Sequence, residues 1–196
     1  LLEENESLKQ QEDELTIQNT ELQQDRYELN TLRELYELDA QYDDYEKTGA
    51  RIIARDSGNW YHSFVINKGS NDGIEVDMNV IAGSGLVGRV TDVGPNWAKV
   101  LSIIADTSKV SATLLSTEEH LIVSGDLELY SEGSIRFSQL IDRDGVVKEG
   151  DKIVTSNISD KYLPGILIGY IENIDMDSNN LTKSGEVTPA VDFGRL

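Results

Sequence analysis

Several residue types are absent or scarce in this sequence, and each absence removes a class of function. There is no cysteine, so neither a disulfide framework nor a cysteine-ligated zinc site is available. Lysine and arginine number only 17 against 36 aspartates and glutamates, and the net charge of −19 argues against nucleic acid as a partner. No apolar run reaches the length of a membrane span, and no start typical of a signal peptide is present.

Residues 1–46 contain neither glycine nor proline and are rich in glutamate, glutamine and leucine, which predicts one long helix. Leucine recurs at every seventh position up to residue 29, with asparagine at two of the intervening a positions, which is typical of a coiled coil. The predicted seam consists of Leu1, Asn5, Leu8, Leu15, Asn19, Leu22 and Leu29. Because a buried asparagine at a favours two parallel strands, we expect a parallel homodimer through this helix, which is assigned to residues 1–47.

The predicted helix is also strongly acidic. Residues 1–46 carry 15 aspartates and glutamates against 3 lysines and arginines, a net charge of −12. Two such helices repel each other at low ionic strength, so salt is expected to strengthen their pairing. A solvated single helix and a helix on a membrane surface are the alternatives, and the negative charge disfavours the second because anionic lipid repels it.

From residue 48 onward the composition changes to that of a β-protein. All 16 glycines and all 3 prolines lie there, between twelve short runs predicted as strands, one of which is Leu127–Tyr130. The pattern of residues 72–90 is echoed by residues 144–171, which indicates two similar barrels. The predicted fold is therefore mainly β with an N-terminal long α-helix. A coiled-coil arm precedes two small β-barrels of six-stranded type at 48–118 and 119–196, and a strand can cross between them.

The stretch 65–90, VINKGSNDGIEVDMNVIAGSGLVGRV, carries a resemblance to a known family. Its segments 66–70, 72–74, 78–81 and 85–90 are similar to the corresponding segments of the rod shape-determining MreC family. Residues 52–56, 150–156 and 163–169 extend the similarity over essentially all of 50–196. Three positions depart from the family pattern: Asp77 and Asn157 stand where glycine is usual, and Leu163 replaces an aromatic residue.

The resemblance implies a scaffold without catalysis, built as two small β-barrels behind a helix. MreC-like proteins help to organise lateral cell-wall synthesis, and they bind class B penicillin-binding transpeptidases and the membrane protein MreD. They act in coordination with the cytoplasmic actin-like MreB. The resemblance also implies an extracytoplasmic location and an upstream transmembrane anchor. Because the sequence begins in mid-pattern without methionine, we expect it to be a fragment that lacks this anchor.

An extracytoplasmic protease-like enzyme with a helical stalk is the alternative function. Two barrels resemble the architecture of serine proteases, and such a site would place His62 or His120 beside a serine such as Ser57. Arg55 and Asn59 flank the Asp-Ser-Gly tripeptide around Ser57, where the protease motif has glycines. We therefore expect no catalytic residue and no cofactor.

Two weaker site predictions remain. Asp175, Asp177, Asn179 and Glu186 have the spacing of a calcium loop, whereas a polar loop between two strands is the competing interpretation. The adjacent aromatics Trp60 and Tyr61 are predicted as a partner contact, the alternative being a half-buried core position.

Overall fold

The computed structural model describes residues 2–58 and 62–196. The chain divides into two compact units, Leu1–Tyr45 and Glu46–Leu196. The first unit is helical and the second is almost entirely β-structure. This division agrees with the change in composition near residue 48.

Helix α1 spans Leu2–Gln41 and ends six residues before the predicted end at Lys47. The chain then turns, with the Tyr45 amide donating to the carbonyl of Tyr42 at 3.2 Å. Two aspartates, Asp43 and Asp44, follow the helix, and no basic residue lies in its last turn. Negative charge is unfavourable at the negative end of the helix dipole, which explains an end before Gly49. Among the described residues, no helix has both the length and the apolar character needed to cross a bilayer.

The second unit begins with an antiparallel sheet of five strands. These are β1 (Ile52–Arg55), β2 (Ser63–Ile66), β3 (Asn79–Ala82), β4 (Gly85–Val93) and β5 (Ala98–Ser102). Their order is β1-β2-β5-β4-β3, so β1 and β3 form the two edges of the sheet. Leu86, Val87 and Val90 of β4 are buried, which makes this strand the main source of the sheet's core.

The remaining strands close into a barrel of six. They are β6 (Lys109–Leu114), β7 (His120–Ser124), β8 (Ile135–Leu140), β9 (Lys152–Thr155), β10 (Leu167–Met176) and β11 (Lys183–Pro189). The barrel runs β10-β11-β8-β7-β6-β9 and closes between β9 and β10. Side chains of β6 alternate between exposed or half-buried and fully buried positions, as expected where one face of a strand lines the barrel core. The prediction of a six-stranded barrel is thus confirmed for this half.

Strand β6 follows the connection between the two halves and belongs to the barrel. The chain leaves the sheet after Ser102, and residues 103–105 are buried as it passes to the barrel. Strand β6 then pairs with β7 and β9, although the boundary predicted at 118 and 119 assigned these residues to the first barrel. In the described residues the first half is therefore a five-stranded sheet and the second half contains the closing strand.

The two halves share one strand order. Five barrel strands follow the order β7-β8-β11-β10-β9, which matches β1-β2-β5-β4-β3 strand for strand. Gly88 in β4 and Gly169 in β10 occupy equivalent places. A Cβ on Gly88 would lie 2.0 Å from the carbonyl oxygen of Leu101, and a Cβ on Gly169 would lie 2.2 Å from the carbonyl oxygen of Thr188. No side chain fits at such an approach of neighbouring strands. This equivalence supports the internal repeat inferred from the sequence.

One predicted strand is wrong. Leu127–Tyr130 forms the short helix α2 instead. Asp126 caps it, since its Oδ1 accepts from the Leu129 amide at 2.9 Å, and its other carboxylate oxygen accepts from Arg136 at 2.6 Å. An N-cap of this kind is worth about 1 kcal/mol, enough for local capping to override a short apolar alternation.

Candidate functional site

Four leucines of the predicted coiled-coil seam form an exposed apolar row on α1. Leu8, Leu15, Leu22 and Leu29 are 63%, 65%, 61% and 47% exposed, and Asn5 and Asn19 are exposed as well. Leu1, the remaining member of the predicted seam, lies outside the described residues. Leucines spaced by seven along one helix face present apolar surface that a second helix can cover. The row is thus available for pairing, and pairing itself remains a prediction.

The predicted aromatic contact cannot be placed in the same way. Trp60 and Tyr61 both lie outside the described residues, between β1 and β2 of the sheet. Their role as a partner contact remains a prediction.

The four residues of the proposed calcium loop are spread along the β10–β11 hairpin. Asp177 and Asn179 lie at its tip, where Asn179 Oδ1 accepts from the amides of Leu181 and Thr182 at 2.9 and 3.1 Å. Glu186 is paired in register with Asn173, four residues before Asp177 and therefore about 13 Å away along the strand. Calcium ligands must converge on one ion, and this hairpin does not bring the four together. Within residues 2–58 and 62–196 there is also no group of three histidine, aspartate or glutamate side chains able to hold a metal.

The two histidines lie in different halves of the β-unit. His62 precedes β2 of the sheet, and its carbonyl accepts from the Ser102 amide at 3.0 Å. His120 begins β7 of the barrel, with Nδ1 3.2 Å from the Thr113 hydroxyl on the adjacent strand β6. The structure thus gives each histidine a contact with a neighbouring strand in its own half of the β-unit.

A side-chain amide joins the sheet to the barrel at the junction between them. Asn79, the first residue of β3, donates from Nδ2 to the Lys161 carbonyl at 2.8 Å. Its Oδ1 accepts from the Leu163 amide, also at 2.8 Å. Both partners belong to the loop between β9 and β10. Sequence reasoning missed this residue, because a polar side chain at a strand start carries no signal for a loop more than eighty residues away.

A second group lies beside this contact. Asp77 has a φ of 70°, in the left-handed region that favours glycine. Glycine is usual at this position in the family that the sequence resembles. Asp77 Oδ1 accepts from Arg89 Nη1 at 2.6 Å, and the Arg89 side chain is mostly buried. Tyr162 is also buried here: burial raises the pKa of its phenol, and the positive charge of Arg89 partly opposes that rise. Strands β3 and β4 and the β9–β10 loop thus meet around one cluster.

The barrel contains one nearly buried ion pair. Asp142 Oδ2 accepts from Lys183 Nζ at 2.8 Å, and the two side chains are 1% and 18% exposed. Asp142 also accepts from the Val146 amide at 3.0 Å and thereby orders the loop after β8. Burial alone would raise the pKa of this carboxyl, but the hydrogen bonds from Lys183 and Val146 outweigh it and the pKa is lowered. The pair joins β11 to that loop and serves the fold.

Known proteins resemble this chain over most of its length. The family described as "Rod shape-determining protein MreC, barrel core" matches residues 52–196. The cell shape-determining protein MreC of Listeria monocytogenes is 31% identical over 192 residues, which are 97% of this chain and 64% of that protein. Its counterpart in Bacillus subtilis is 32% identical over 200 residues, covering 98% of this chain and 69% of that protein. The chain thus spans about two thirds of the length of these two relatives.

Solved structures agree with the sequence comparison. MreC from Listeria monocytogenes superposes with a TM-score of 0.70 at 32% identity, covering 91% of this chain and 89% of that one. The major periplasmic domain of the cell shape-determining filament MreC gives 0.60 at 20% identity, covering 76% and 92%. MreC from Helicobacter pylori, solved in complex with the penicillin-binding protein PBP2, gives 0.59 at 13% identity, covering 75% and 88%. At these lower identities the last two show a common fold.

Proposed function

Because this chain belongs to the MreC family of rod shape-determining proteins, we propose that it is a non-enzymatic scaffold of the complex that builds lateral peptidoglycan in elongating bacteria. The observation that carries the proposal is the family match across the whole of residues 52–196. The β-unit fits such a role, because it presents edges and surfaces held by a well-buried core, and a scaffold needs rigid surfaces more than a catalytic cleft.

The proposed partner is a class B penicillin-binding transpeptidase. Support comes from the MreC of Helicobacter pylori, which was solved with PBP2 and shares the fold of this chain. By family resemblance, MreD is a second partner and MreB an indirect one. We place the chain on the extracytoplasmic face of the membrane, anchored by an upstream transmembrane helix, since a relative of the same fold is a periplasmic domain. Trp60 and Tyr61 are proposed as part of the contact surface.

We also propose that α1 pairs two copies of the chain in parallel. The exposed leucine row at residues 8, 15, 22 and 29 supports this, because each leucine left in water forgoes the free energy of burial. A homodimer would present two β-units to the partner. Binding to one β-unit would then raise the effective concentration of the partner near the second.

The two-barrel architecture is proposed as well. The sheet repeats five of the six strands of the closed barrel in the same order, and the place that β6 fills in the barrel corresponds to the gap between β1 and β3. A sixth strand lying antiparallel to both edges would turn the sheet into a second barrel.

A retention assay tests the proposed partner. The chain is immobilised, and a detergent extract of its host's membranes, labelled with a fluorescent penicillin, is passed over it. We expect a labelled transpeptidase band to be retained, and we expect the band to disappear when residues 48–196 are omitted. A variant with both His62 and His120 replaced by alanine is the control and should retain the band equally well. Absence of any labelled band on the intact chain would contradict the proposal.

A further inference from the structure

Asn79 ties the sheet to the barrel with a pair of opposed hydrogen bonds. Its amide donates to the Lys161 carbonyl and accepts from the Leu163 amide, each at 2.8 Å. A strand backbone offers a donor and an acceptor to its neighbour in the same alternating way. The side chain of Asn79 therefore offers the β9–β10 loop the same pair of hydrogen bonds that the backbone of a neighbouring strand would offer. Both bonds must be aligned at once, which fixes direction as well as distance.

The other contacts across the junction constrain position less sharply. Gly85 lies against the barrel, where a Cβ would be 2.6 Å from the Leu167 carbonyl oxygen and 3.2 Å from the Ala190 side chain. Tyr162 is buried and hydrogen-bonded to the Arg89 side chain, and Arg55 of β1 donates to the Leu196 carbonyl. Packing at Gly85 has little directional preference, and each arginine acts from the end of a long, flexible side chain. Asn79 differs because its short side chain both donates to and accepts from the same loop.

Neighbouring residues in the sheet also hold the Asn79 side chain in position. It begins the edge strand β3, and Asp77, two residues earlier, is held by Arg89 of β4 at 2.6 Å. Nδ2 of Asn79 lies 3.1 Å from the Asp77 carbonyl, so the side chain is oriented from its own strand before it reaches the loop. An amide oriented in this way loses little rotamer freedom when it binds the loop.

We infer that Asn79 is a lock that holds the five-stranded sheet and the six-stranded barrel at one relative angle. When its two bonds break, the sheet and the barrel keep their own folds but sample a range of angles about residues 106–107, the exposed part of the connection between them. The inference rests on the β-unit alone and holds whether or not the proposed partner binds.

Distance measurement between two spin labels tests the lock. The chain has no cysteine, so Lys99→Cys on β5 and Lys152→Cys on β9 place one label on each half without background labelling. Labelled chain is diluted with unlabelled chain so that distances between copies do not contribute. Asn79→Ala is expected to broaden the distance distribution at least about twofold, since the two halves are then free to reorient. A distribution as narrow as that of the parent chain would overturn the inference.

Matched variants separate loss of the lock from loss of the fold. Asn71→Ala removes an exposed amide pair between two loops of the sheet half, with Asn96 at 3.0 Å, and should leave the distribution unchanged. Asn79→Asp keeps the acceptor for Leu163 and turns a negative oxygen toward the Lys161 carbonyl. It should broaden the distribution while the Leu163 amide stays slow in hydrogen exchange. In Asn79→Ala that amide should exchange about tenfold faster while amides of β10 and β11 keep their protection. Equal loss of protection throughout the barrel would mean that Asn79 supports the fold and sets no angle.

Discussion

Replacing both Leu15 and Leu22 with asparagine is expected to dissociate the dimer proposed for α1. The two side chains are 65% and 61% exposed in the single helix, and the proposed partner helix would cover them. Full burial of a leucine is worth roughly 1.5–3 kcal/mol, so the four leucines of a dimer, each burying about 0.6 of its surface, contribute about 4–7 kcal/mol. Losing that amount weakens dimerisation roughly 10³–10⁵-fold.

Sedimentation velocity measures the result directly. The parent chain should sediment as a dimer of 21.8 kDa subunits, and the double variant as a monomer. Ile17→Asn is the matched control, because Ile17 is 60% exposed on the same helix but lies off the seven-residue row. It should leave the dimer intact. A double variant that still sediments as a dimer would refute the predicted seam. If only the Ile17→Asn control dissociated, the pairing surface would lie on another face of the helix.

Two further predictions concern the stability of the β-unit. Gly88→Ala should destabilise it by about 3 kcal/mol or more in urea, because the new Cβ would meet the Leu101 carbonyl, whereas Gly73→Ala, in open space at positive φ, should cost only about 1–2 kcal/mol. Asp142→Ala should cost about 3 kcal/mol by leaving Lys183 without its partner. Because the pKa of Asp142 is lowered in the fold, its contribution is present above the unfolded pKa and is lost as pH falls through the folded pKa. The difference in urea stability between parent and variant should therefore begin to shrink near pH 4, at about the unfolded pKa, and should vanish only below the folded pKa; a constant difference would contradict this.

The sequence is most informative where one local pattern decides the structure. The absence of helix breakers before residue 48 predicts α1, and glycines between β-branched runs predict most of the strands close to their observed bounds. The end of α1 is predicted too late. Gly49 gives a strong C-cap signal in the sequence, whereas Asp43 and Asp44 give only a weak signal for the end of a helix. Leu127–Tyr130 is misjudged because one cap at Asp126 outweighs four residues of apolar alternation.

Long-range placement is less accessible from sequence. The repeat predicts two similar halves, and the shared strand order confirms the similarity. The repeat does not reveal that β6 closes the second barrel. A strand can pair with either half at similar free energy, so the three-dimensional path of the chain determines which half it joins. For the same reason the bonds from Asn79 to Lys161 and Leu163 leave no trace in sequence spacing. The leucine row, by contrast, is found because its period is local.

We propose the β-unit as a scaffold surface for a wall-synthesis transpeptidase. Titration of the purified class B penicillin-binding protein of the same host against the immobilised chain tests this most directly. We predict saturable binding at one transpeptidase per protomer, retained by the Leu15→Asn/Leu22→Asn variant because the surface lies outside the seam. Binding that never saturates, or that depends only on residues 1–47, would contradict the account.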